Sequence, residues 1–203
     1  MKILIATGNP HKLKELLAIL PRQTKTGESL QYVSLADFPQ ITLPPETGTT
    51  LKENAKIKAL SAAQLTGCIT LSDDTGLEVD FLEGRPGVYT ARYGGEPVSA
   101  EANNQKLLAE LLHVPLPQRT ARFHTVACLA TPKGTCYYFD GILSGAITTQ
   151  YCGTNGFGYD PIFLVAQTNK TLAEMTDSEK NAVSHRGKAF RQLGSFLQEN
   201  KII

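Results

Sequence analysis

A strand-like run that leads directly into a helix restricts the fold of this sequence more than any other segment. Residues 2–6 are mostly apolar and predict a buried strand. Asn9 is a favourable N-cap and Pro10 fits the first helical position, so a helix is predicted to begin there and to end before Pro21. Leucines then recur at helical spacing, at Leu13, Leu16, Leu17 and Leu20. A strand followed at once by a helix is typical of α/β folds.

The remaining sequence continues to alternate between helices and strands. A second helix is predicted over residues 51–65, where Thr50 and Glu53 form a capping box and Gly67 is a natural C-terminal stop. Further helices are predicted to begin near Ser99, Thr176 and Ser184. Predicted strands occupy residues 32–35, 69–71, 77–79, 122–131, 135–147 and 162–165. This order predicts one α/β domain over residues 1–203, in which helices flank a mixed β-sheet.

The composition favours a protein that handles small molecules. The chain has 203 residues, of which 41% are hydrophobic and 19% charged, as is typical of globular proteins. Its net charge of +1 gives no excess of positive charge for a nucleic-acid backbone. No apolar run approaches the roughly 20 residues of a membrane span, and no signal-peptide pattern occurs at the N-terminus. We therefore expect a cytoplasmic protein that binds neither nucleic acid nor membrane.

The turn between the first strand and the first helix is a candidate phosphate site. It reads Thr7-Gly8-Asn9-Pro10-His11-Lys12. Backbone N–H groups at a helix start favour an anion, Gly8 permits close approach of the backbone, and Lys12 adds a positive charge. The alternative is an ordinary strand–turn–helix with a surface lysine, because the segment is not a Walker A motif.

An acidic set is a candidate metal and catalytic site. Its members are Glu46, Glu53, Asp73, Asp74 and Glu78. Asp73 and Asp74 directly follow the predicted strand 69–71, at the strand end where ligands bind in open α/β sheets. Mg²⁺ prefers one or two carboxylates together with phosphate oxygens, and Asp74 and Glu46 could supply them. Asp73 could orient these groups or act as a base. A simple turn is the alternative for the aspartate pair, and helix capping is the alternative for Glu53.

A glycine-rich loop and a cationic helix start are candidates for binding a nucleobase. The loop reads Gly153-Thr154-Asn155-Gly156-Phe157-Gly158-Tyr159-Asp160-Pro161, and the cationic group comprises Lys180, His185 and Arg186. Aromatic rings stack on bases with about 1–3 kcal/mol per base, and Asp160 could accept from ring N–H groups. Cations at a helix start oppose the helix dipole, which favours a bound acceptor or anion nearby. A packed hairpin corner and solvated helix charges are the alternatives.

Several segments of this sequence occur together, and in the same order, in one known family. They are Thr7-Gly8-Asn9 with Lys12, Glu46-Thr47-Gly48, Glu53-Asn54-Ala55, Ser72-Asp73-Asp74-Thr75-Gly76-Leu77, Pro86-Gly87, Ala91-Arg92-Tyr93, Gly156-Phe157-Gly158-Tyr159-Asp160-Pro161 and Ser184-His185-Arg186-Gly187. Through them the chain resembles the inosine/xanthosine triphosphate pyrophosphatases, which clear dITP, ITP and XTP, over nearly its whole length. Thr75 and Thr90 stand where this family usually has serine, and both retain the hydroxyl group.

The resemblance implies a fold, a reaction and a set of roles. The fold would have an elongated central sheet and two lobes with the active cleft between them, and the protein would form a homodimer. The reaction would need Mg²⁺, with Mn²⁺ as an alternative, and would release pyrophosphate and a nucleoside monophosphate. The metal would bind to Asp74 and Glu46, and Asp74 or Asp73 would be the base. The substrate contacts would be residues 7–12, Phe157, Gly158, Tyr159, Asp160, Lys180, His185 and Arg186. Independently of the resemblance, we expect Lys58 and Thr75 as further substrate contacts.

Three other interpretations of the sequence predict different behaviour. A nucleotide-binding regulatory module would need phosphate and base contacts, but the adjacent carboxylates Asp73 and Asp74 would have no role in it. A related pyrophosphatase for pyrimidine or modified nucleotides would share the phosphate site and differ in the base loop. A structural or interaction protein would not need several polar motifs at its loops. The residue that excludes GTP is not identified by any of these patterns.

Overall fold

The structure is a computed structural model that describes residues 1–166, 168–199 and 202. Its strands are β1 Lys2–Ile5, β2 Gln31–Ser34, β3 Ile69–Val79, β4 Pro86–Gly87, β5 Thr120–Ala130, β6 Cys136–Ile147 and β7 Phe163–Val165. Its α-helices are α1 Pro10–Ile19, α2 Leu51–Thr66, α3 Ala100–Glu110, α4 Asp177–Val183 and α5 His185–Gln198. None of the helices in these described ranges is both long enough and apolar enough to cross a membrane.

The strands form one mixed sheet, as predicted. Its strand order is β2-β1-β3-β5-β6-β7, and β4 pairs with β3 outside this path. β1 is parallel to both β2 and β3, whereas β4 and β7 run antiparallel to β3 and β6, respectively. The predicted α/β class is therefore confirmed.

The chain divides into two compact units. Unit 1 comprises Met1–Asp74, Thr125–Gly141 and Arg186–Ile203, and unit 2 comprises Thr75–His124 and Ile142–His185. Strands β3, β5 and β6 each contribute residues to both units.

Different helices cover the two faces of the sheet in unit 1. Side chains of α1 and α5 pack with one face in a core that contains Ile3, Ile5, Leu16, Leu71, Ala127, Leu129, Phe190 and Leu193. Helix α2 covers the other face, where Leu4 packs with Ala62 and the Ser72 hydroxyl donates to the Ala55 carbonyl at 2.6 Å. Because strand side chains alternate, Leu71 and Asp73 face α1 and α5, whereas Ser72 and Asp74 face α2.

Helices α1 and α2 begin at the predicted capping residues. Asn9 Oδ1 accepts hydrogen bonds from the backbone N–H groups of His11 and Lys12, at 2.9 and 3.3 Å. The capping box of α2 forms between Thr50 and Glu53, and Gly67 ends this helix with a φ of 69°. These local signals therefore predict both helix starts correctly.

The core of unit 2 is formed by side chains of α3 and of the strand segments that belong to this unit. The buried core there includes Leu77, Val79, Leu107, Leu111, Phe123, Leu143, Ile147 and Phe163. The buried Arg119 guanidinium donates to the carbonyls of Leu111, Val114 and Thr148 at 2.6, 2.9 and 2.7 Å. Leu111 is the C-cap of α3, and its carbonyl accepts from Val114 N–H as well as from Arg119, so Arg119 connects the end of this helix to the segments that follow it.

Strand β3 is longer than the sequence predicts. The prediction was a strand at 69–71, a turn and a separate strand at 77–79, but β3 runs continuously from Ile69 to Val79. Asp73 and Asp74 therefore lie within a strand, and the prediction that they follow a strand end is wrong. The strand end near them belongs to β1, which stops at Ile5, and Ala6 N–H then donates to the Leu71 carbonyl at 2.7 Å.

Candidate active site

A buried group of charges surrounds Asp73 in unit 1. Lys12 Nζ lies 2.9 Å from Asp73 Oδ2, and Arg186 Nε lies 3.2 Å from the same oxygen. The other side of the Arg186 guanidinium contacts Glu15, with 2.7 Å between Nη1 and Oε2. Asp73 and Arg186 are each 2% exposed, so water screens these pairs weakly. Helices α1 and α5 are thus linked through one carboxylate of β3.

The charges around Asp73 keep it ionised. Burial alone would raise the pKa of Asp73, but the positive charges of Lys12, Arg186 and Lys58 outweigh burial and hold this pKa well below its usual range. Burial also lowers the pKa of the Lys12 ammonium group, an effect that Asp73 opposes. Asp73 therefore acts as a permanent anion that holds Lys12 in place.

Asp74 lies on the opposite side of β3, against α2. Asn54 Nδ2 donates to Asp74 Oδ2 at 3.1 Å, and Lys58 Nζ lies 3.8 Å from Asp74 Oδ1. Burial raises the pKa of Asp74, and Lys58 and Asn54 only partly offset this rise. Asp73 and Asp74 are neighbours in sequence, yet their pKa values shift in opposite directions.

The carboxylates of Glu46 and Asp74 converge on one cation. Lys58 Nζ lies 3.1 Å from Glu46 Oε1 and 3.8 Å from Asp74 Oδ1. Two carboxylates that surround the same positive charge fit a Mg²⁺ site, since Mg²⁺ binds one or two carboxylates and completes its shell with water and substrate phosphates. In the part of the chain that the structure describes, no cluster of three or more His, Cys, Asp or Glu side chains could hold a metal ion.

The turn at residues 7–12 leads into this group of charges through Lys12. The Thr7 hydroxyl accepts from Asn9 N–H at 3.2 Å, which fixes the turn ahead of α1. Gly8 is exposed, and a Cβ added there would meet no protein atom within 4 Å. The packing of the protein therefore does not require glycine at position 8. Pro10 and His11 are also exposed, so this turn presents its backbone to solvent.

In unit 2, Asp160 connects the glycine-rich loop to α4. Its Oδ2 accepts from Phe157 N–H at 2.8 Å and from Lys180 Nζ at 2.7 Å, and Lys180 Nζ lies 4.6 Å from the centre of the Phe157 ring. Asp160 and Lys180 are almost fully buried. A Cβ at Gly156 would collide with the Asp160 carboxylate, so this tight turn needs glycine. The loop thus presents Phe157 from a fixed backbone.

Further contacts hold the remaining base-site candidates of unit 2. Tyr159 O–H donates to the Thr90 carbonyl at 2.9 Å. Asn104 Nδ2 donates to the Gly158 carbonyl at 3.0 Å. The His185 ring stacks on Phe123, with 4.5 Å between ring centres and 19° between ring planes. The Tyr159 and His185 side chains and the Gly158 backbone are therefore oriented by contacts within the protein.

The predicted site residues divide between the two units. Unit 1 contains residues 7–12, Glu46, Lys58, Asp73, Asp74 and Arg186, and unit 2 contains Thr75, Phe157, Gly158, Tyr159, Asp160, Lys180 and His185. Arg186, which the sequence groups with the base contacts, is paired instead with Asp73 and Glu15. The predicted cleft between two lobes stays a prediction.

Sequence reasoning missed two polar residues of this site. Glu15 pairs with Arg186, and Asn54 bonds to Asp74. Glu15 follows Lys12 by three positions, so both lie on one side of α1, and that spacing could have identified it. Asn54 is a polar residue among the apolar positions of α2, which is a signal for a buried polar contact.

Comparisons with known proteins find matches over nearly the whole chain. The model of the Ham1 family matches residues 3–196. The chain is 55% identical to the dITP/XTP pyrophosphatase of Elusimicrobium minutum, over 98% of this chain and 100% of that protein. It is 48% identical to the dITP/XTP pyrophosphatase of Geobacter sulfurreducens, over 97% of this chain and 96% of that protein. The solved structure of the Staphylococcus aureus Ham1 protein is 37% identical and superposes with a TM-score of 0.86, covering 99% of this chain and 100% of that one.

The resemblance inferred from the sequence motifs is therefore confirmed over almost the entire chain. The family model and the relatives cover both units and all of the candidate site residues. This protein belongs to the Ham1 family.

Proposed function

We propose that this protein hydrolyses noncanonical purine nucleoside triphosphates, namely dITP, ITP and XTP, to nucleoside monophosphates and pyrophosphate. The observation that carries this proposal is the pair of adjacent carboxylates on β3. One of them, Asp73, is ion-paired with Lys12 and Arg186, whereas Asp74 lies with Glu46 around a second lysine. The names of the relatives, dITP/XTP pyrophosphatases, support the same activity. We further propose that this activity removes such nucleotides from the precursor pool.

The triphosphate would bind to the start of α1 and the lysines beside it. Gly8 is exposed just before the N-terminus of α1, and a helix N-terminus favours an anion. Lys12 is held by Asp73 and Lys58 by Glu46, so both cations are positioned before the substrate arrives. Positioning of this kind is the main contribution of a protein to phosphoryl transfer.

Asp74 and Glu46 would hold Mg²⁺, with Mn²⁺ as the alternative metal. When bound, the ion supplies positive charge to the triphosphate and to the departing pyrophosphate. Asp74 would accept the proton of the water that attacks the α-phosphorus. Asp73 already accepts from Lys12 and from the Arg186 guanidinium, whereas Asp74 accepts from the neutral Asn54 amide and lies 3.8 Å from Lys58, so Asp74 is the more available proton acceptor.

The purine ring would be recognised by residues of unit 2. Phe157 would stack on the ring, and donors such as Lys180 and His185 would favour the oxygen at C6 of hypoxanthine and xanthine. The amino group at C6 of adenine is itself a hydrogen-bond donor, so it would face the donors of the protein without an acceptor between them. A site built on hydrogen bonds can reject such a mismatch by factors of about 10⁴–10⁵. Asp160, Gly158, Tyr159, Thr75 and Arg186 complete the proposed substrate contacts.

A triphosphate panel tests this function. Release of pyrophosphate and of phosphate is measured for ITP, XTP, GTP and ATP, with and without EDTA. We expect pyrophosphate from ITP and XTP, much lower kcat/KM for GTP and ATP, and no turnover in EDTA. Equal kcat/KM for all four nucleotides would remove the selectivity from the proposal, and release of phosphate alone would refute the reaction.

Substitution of Asp74 tests the catalytic assignment. Asp74→Asn should lower kcat by at least about 100-fold, because it removes both a metal ligand and the proton acceptor. The variant keeps the size of the side chain, and circular dichroism shows whether it is folded. Turnover near that of the wild type at saturating Mg²⁺ would show that the assignment is wrong.

We also propose that the protein is a homodimer of the cytoplasm, as the resemblance to the family implies. Light scattering of the purified chain should give twice the monomer mass of 22.0 kDa. A monomeric mass at the concentration used for the activity assays would exclude the dimer as the active form.

A further inference from the structure

One buried side chain connects the Asp74 carboxylate to the loop that carries Glu46. Asn54 Nδ2 donates to Asp74 Oδ2 at 3.1 Å, and Asn54 Oδ1 accepts from Gly48 N–H at 2.8 Å. Gly48 follows Glu46 by two residues, so the same amide holds Asp74 and the loop that carries Glu46. Asn54 is 4% exposed, which leaves its amide little freedom to turn away.

The loop can approach Asn54 only because residue 48 is a glycine. A Cβ at Gly48 would lie 2.7 Å from Asn54 Oδ1 and 2.6 Å from Glu53 Cβ. An amide offers a donor and an acceptor at a fixed separation, and both are used here. Leucine has a similar size but neither group, and serine is too short to span both partners. The contact between this loop and α2 thus depends on the particular side chains at positions 48 and 54.

We propose that Asn54 is a positioning residue for the metal site, which sets the separation and orientation of the Glu46 and Asp74 carboxylates. This inference rests on the proposed function. Lys58 already lies between these carboxylates, at 3.1 and 3.8 Å, so the pair is assembled around a positive charge. Asn54 is the neutral part of this assembly and would keep the carboxylates together when a divalent cation binds them.

A purely structural role of Asn54 in the first turn of α2 has to be distinguished from this one. Asn54 N–H donates to the Thr50 carbonyl at 3.1 Å, as expected for a helix start. Glu53 offers the matched control, because its exposed carboxylate accepts from Thr49 and Thr50 N–H at 2.7 and 3.1 Å. A change at Glu53 therefore weakens the same helix start and the turn at Thr49, but it removes neither of the bonds that Asn54 makes to Asp74 and Gly48.

The test is binding of Mn²⁺ alone to the full chain, measured by electron paramagnetic resonance. Asn54→Leu and Asn54→Ser should each weaken Mn²⁺ binding at least tenfold. Glu53→Gln should bind Mn²⁺ within twofold of the wild type, although it also lowers the midpoint of thermal unfolding. In steady-state assays of Asn54→Ser, a higher metal concentration should restore most of kcat, because the bound metal would again hold the Asp74 and Glu46 carboxylates together.

Two results would overturn the inference. One is Mn²⁺ affinity within twofold of the wild type in a folded Asn54 variant, and Asn54→Ser decides the matter if Asn54→Leu does not fold. The other is an equal loss of affinity in Glu53→Gln, which would reduce the effect of Asn54 to helix stability. Different results would show that the proposed function itself is wrong. The wild type would then bind no Mn²⁺, or Asp74→Asn would bind Mn²⁺ as tightly as the wild type. Either result would also refute the proposed role of Asn54.

Discussion

Asp73 and Asp74 are chemically identical, but their surroundings give them different properties. Asp73 faces Lys12 and Arg186, and these cations lower its pKa. Asp74 faces Asn54 and Lys58, and burial raises its pKa. The sequence predicts that the pair is functional and leaves open which carboxylate would be the base. The structure shows how the surroundings of the two carboxylates differ, because their partners come from other parts of the chain.

Replacement of Asp73 should destabilise the protein in a pH-dependent manner. Asp73→Asn leaves two buried cations without their shared anion, which should lower the free energy of unfolding by about 3 kcal/mol at pH 7. The folded pKa of Asp73 is depressed, so its contribution is present above its ordinary pKa of 3.8 and is lost as the pH falls below that value. Urea unfolding at pH 7 and pH 3 should therefore show a smaller difference between variant and wild type at pH 3. A difference independent of pH would contradict this account.

Replacement of Gly8 should affect the substrate and not the fold. A Cβ at this position meets no protein atom within 4 Å, so Gly8→Ala should leave the thermal unfolding midpoint unchanged. If the triphosphate approaches this backbone, the added methyl group should raise the KM for ITP about tenfold, the equivalent of about 1.4 kcal/mol. An unchanged KM would place the triphosphate elsewhere.

At the scale of elements, helices were predictable where their signals are local. Asn9, Pro10, Thr50, Glu53 and Gly67 define the ends of α1 and α2 within a few residues of sequence. The continuity of β3 was not predictable in this way. Its two buried aspartates suggest a turn, and the groups that compensate Asp73 lie 61 and 113 positions away in sequence. Only the folded chain shows that these carboxylates can remain inside a strand.

The C-terminal end of α2 provides a test of the local signals. Gly67 has a φ of 69°, a conformation that costs an L-residue about 1 kcal/mol. Gly67→Ala should therefore lower the free energy of unfolding by about that amount and leave kcat unchanged. Gly8→Ala is the control, because Gly8 has no positive φ. Equal stability of Gly67→Ala and the wild type in urea unfolding would show that the cap is not needed.

For the complete protein, the α/β class and the mixed sheet predicted from the sequence are confirmed, whereas the site residues stay a prediction. The motifs of the proposed triphosphate site fall in unit 1 and most of those of the proposed base site in unit 2. Arg186 is the exception, since its two carboxylate partners lie in unit 1. A motif shows which residues matter, whereas the assignment of Arg186 depends on the contacts that folding creates.

This division between units predicts two kinds of kinetic defect. Lys12→Met should lower kcat/KM for ITP and for ATP by the same factor, because both nucleotides carry the same triphosphate. His185→Phe keeps an aromatic ring against Phe123 but removes the N–H donor, so it should lower the ratio of kcat/KM for ITP over ATP by at least about tenfold. The nucleotide panel measures both ratios. A changed ratio in Lys12→Met, or an unchanged one in His185→Phe, would contradict the division.

Successive side chains of β3 point to opposite faces of the sheet. A shift of the aspartate pair by one residue along the strand would therefore exchange the faces on which the two carboxylates lie. Deletion of the single residue between Leu71 and Asp73 would keep both aspartates in the protein. Each of their side chains would then point to the opposite face of the sheet. The carboxylate that normally pairs with Lys12 and Arg186 would then face Asn54 and Lys58. The carboxylate of the neighbouring aspartate would face Lys12 and Arg186 in its place. Natural variation around this pair should therefore consist of substitutions, with insertions and deletions confined to the loops outside the strand.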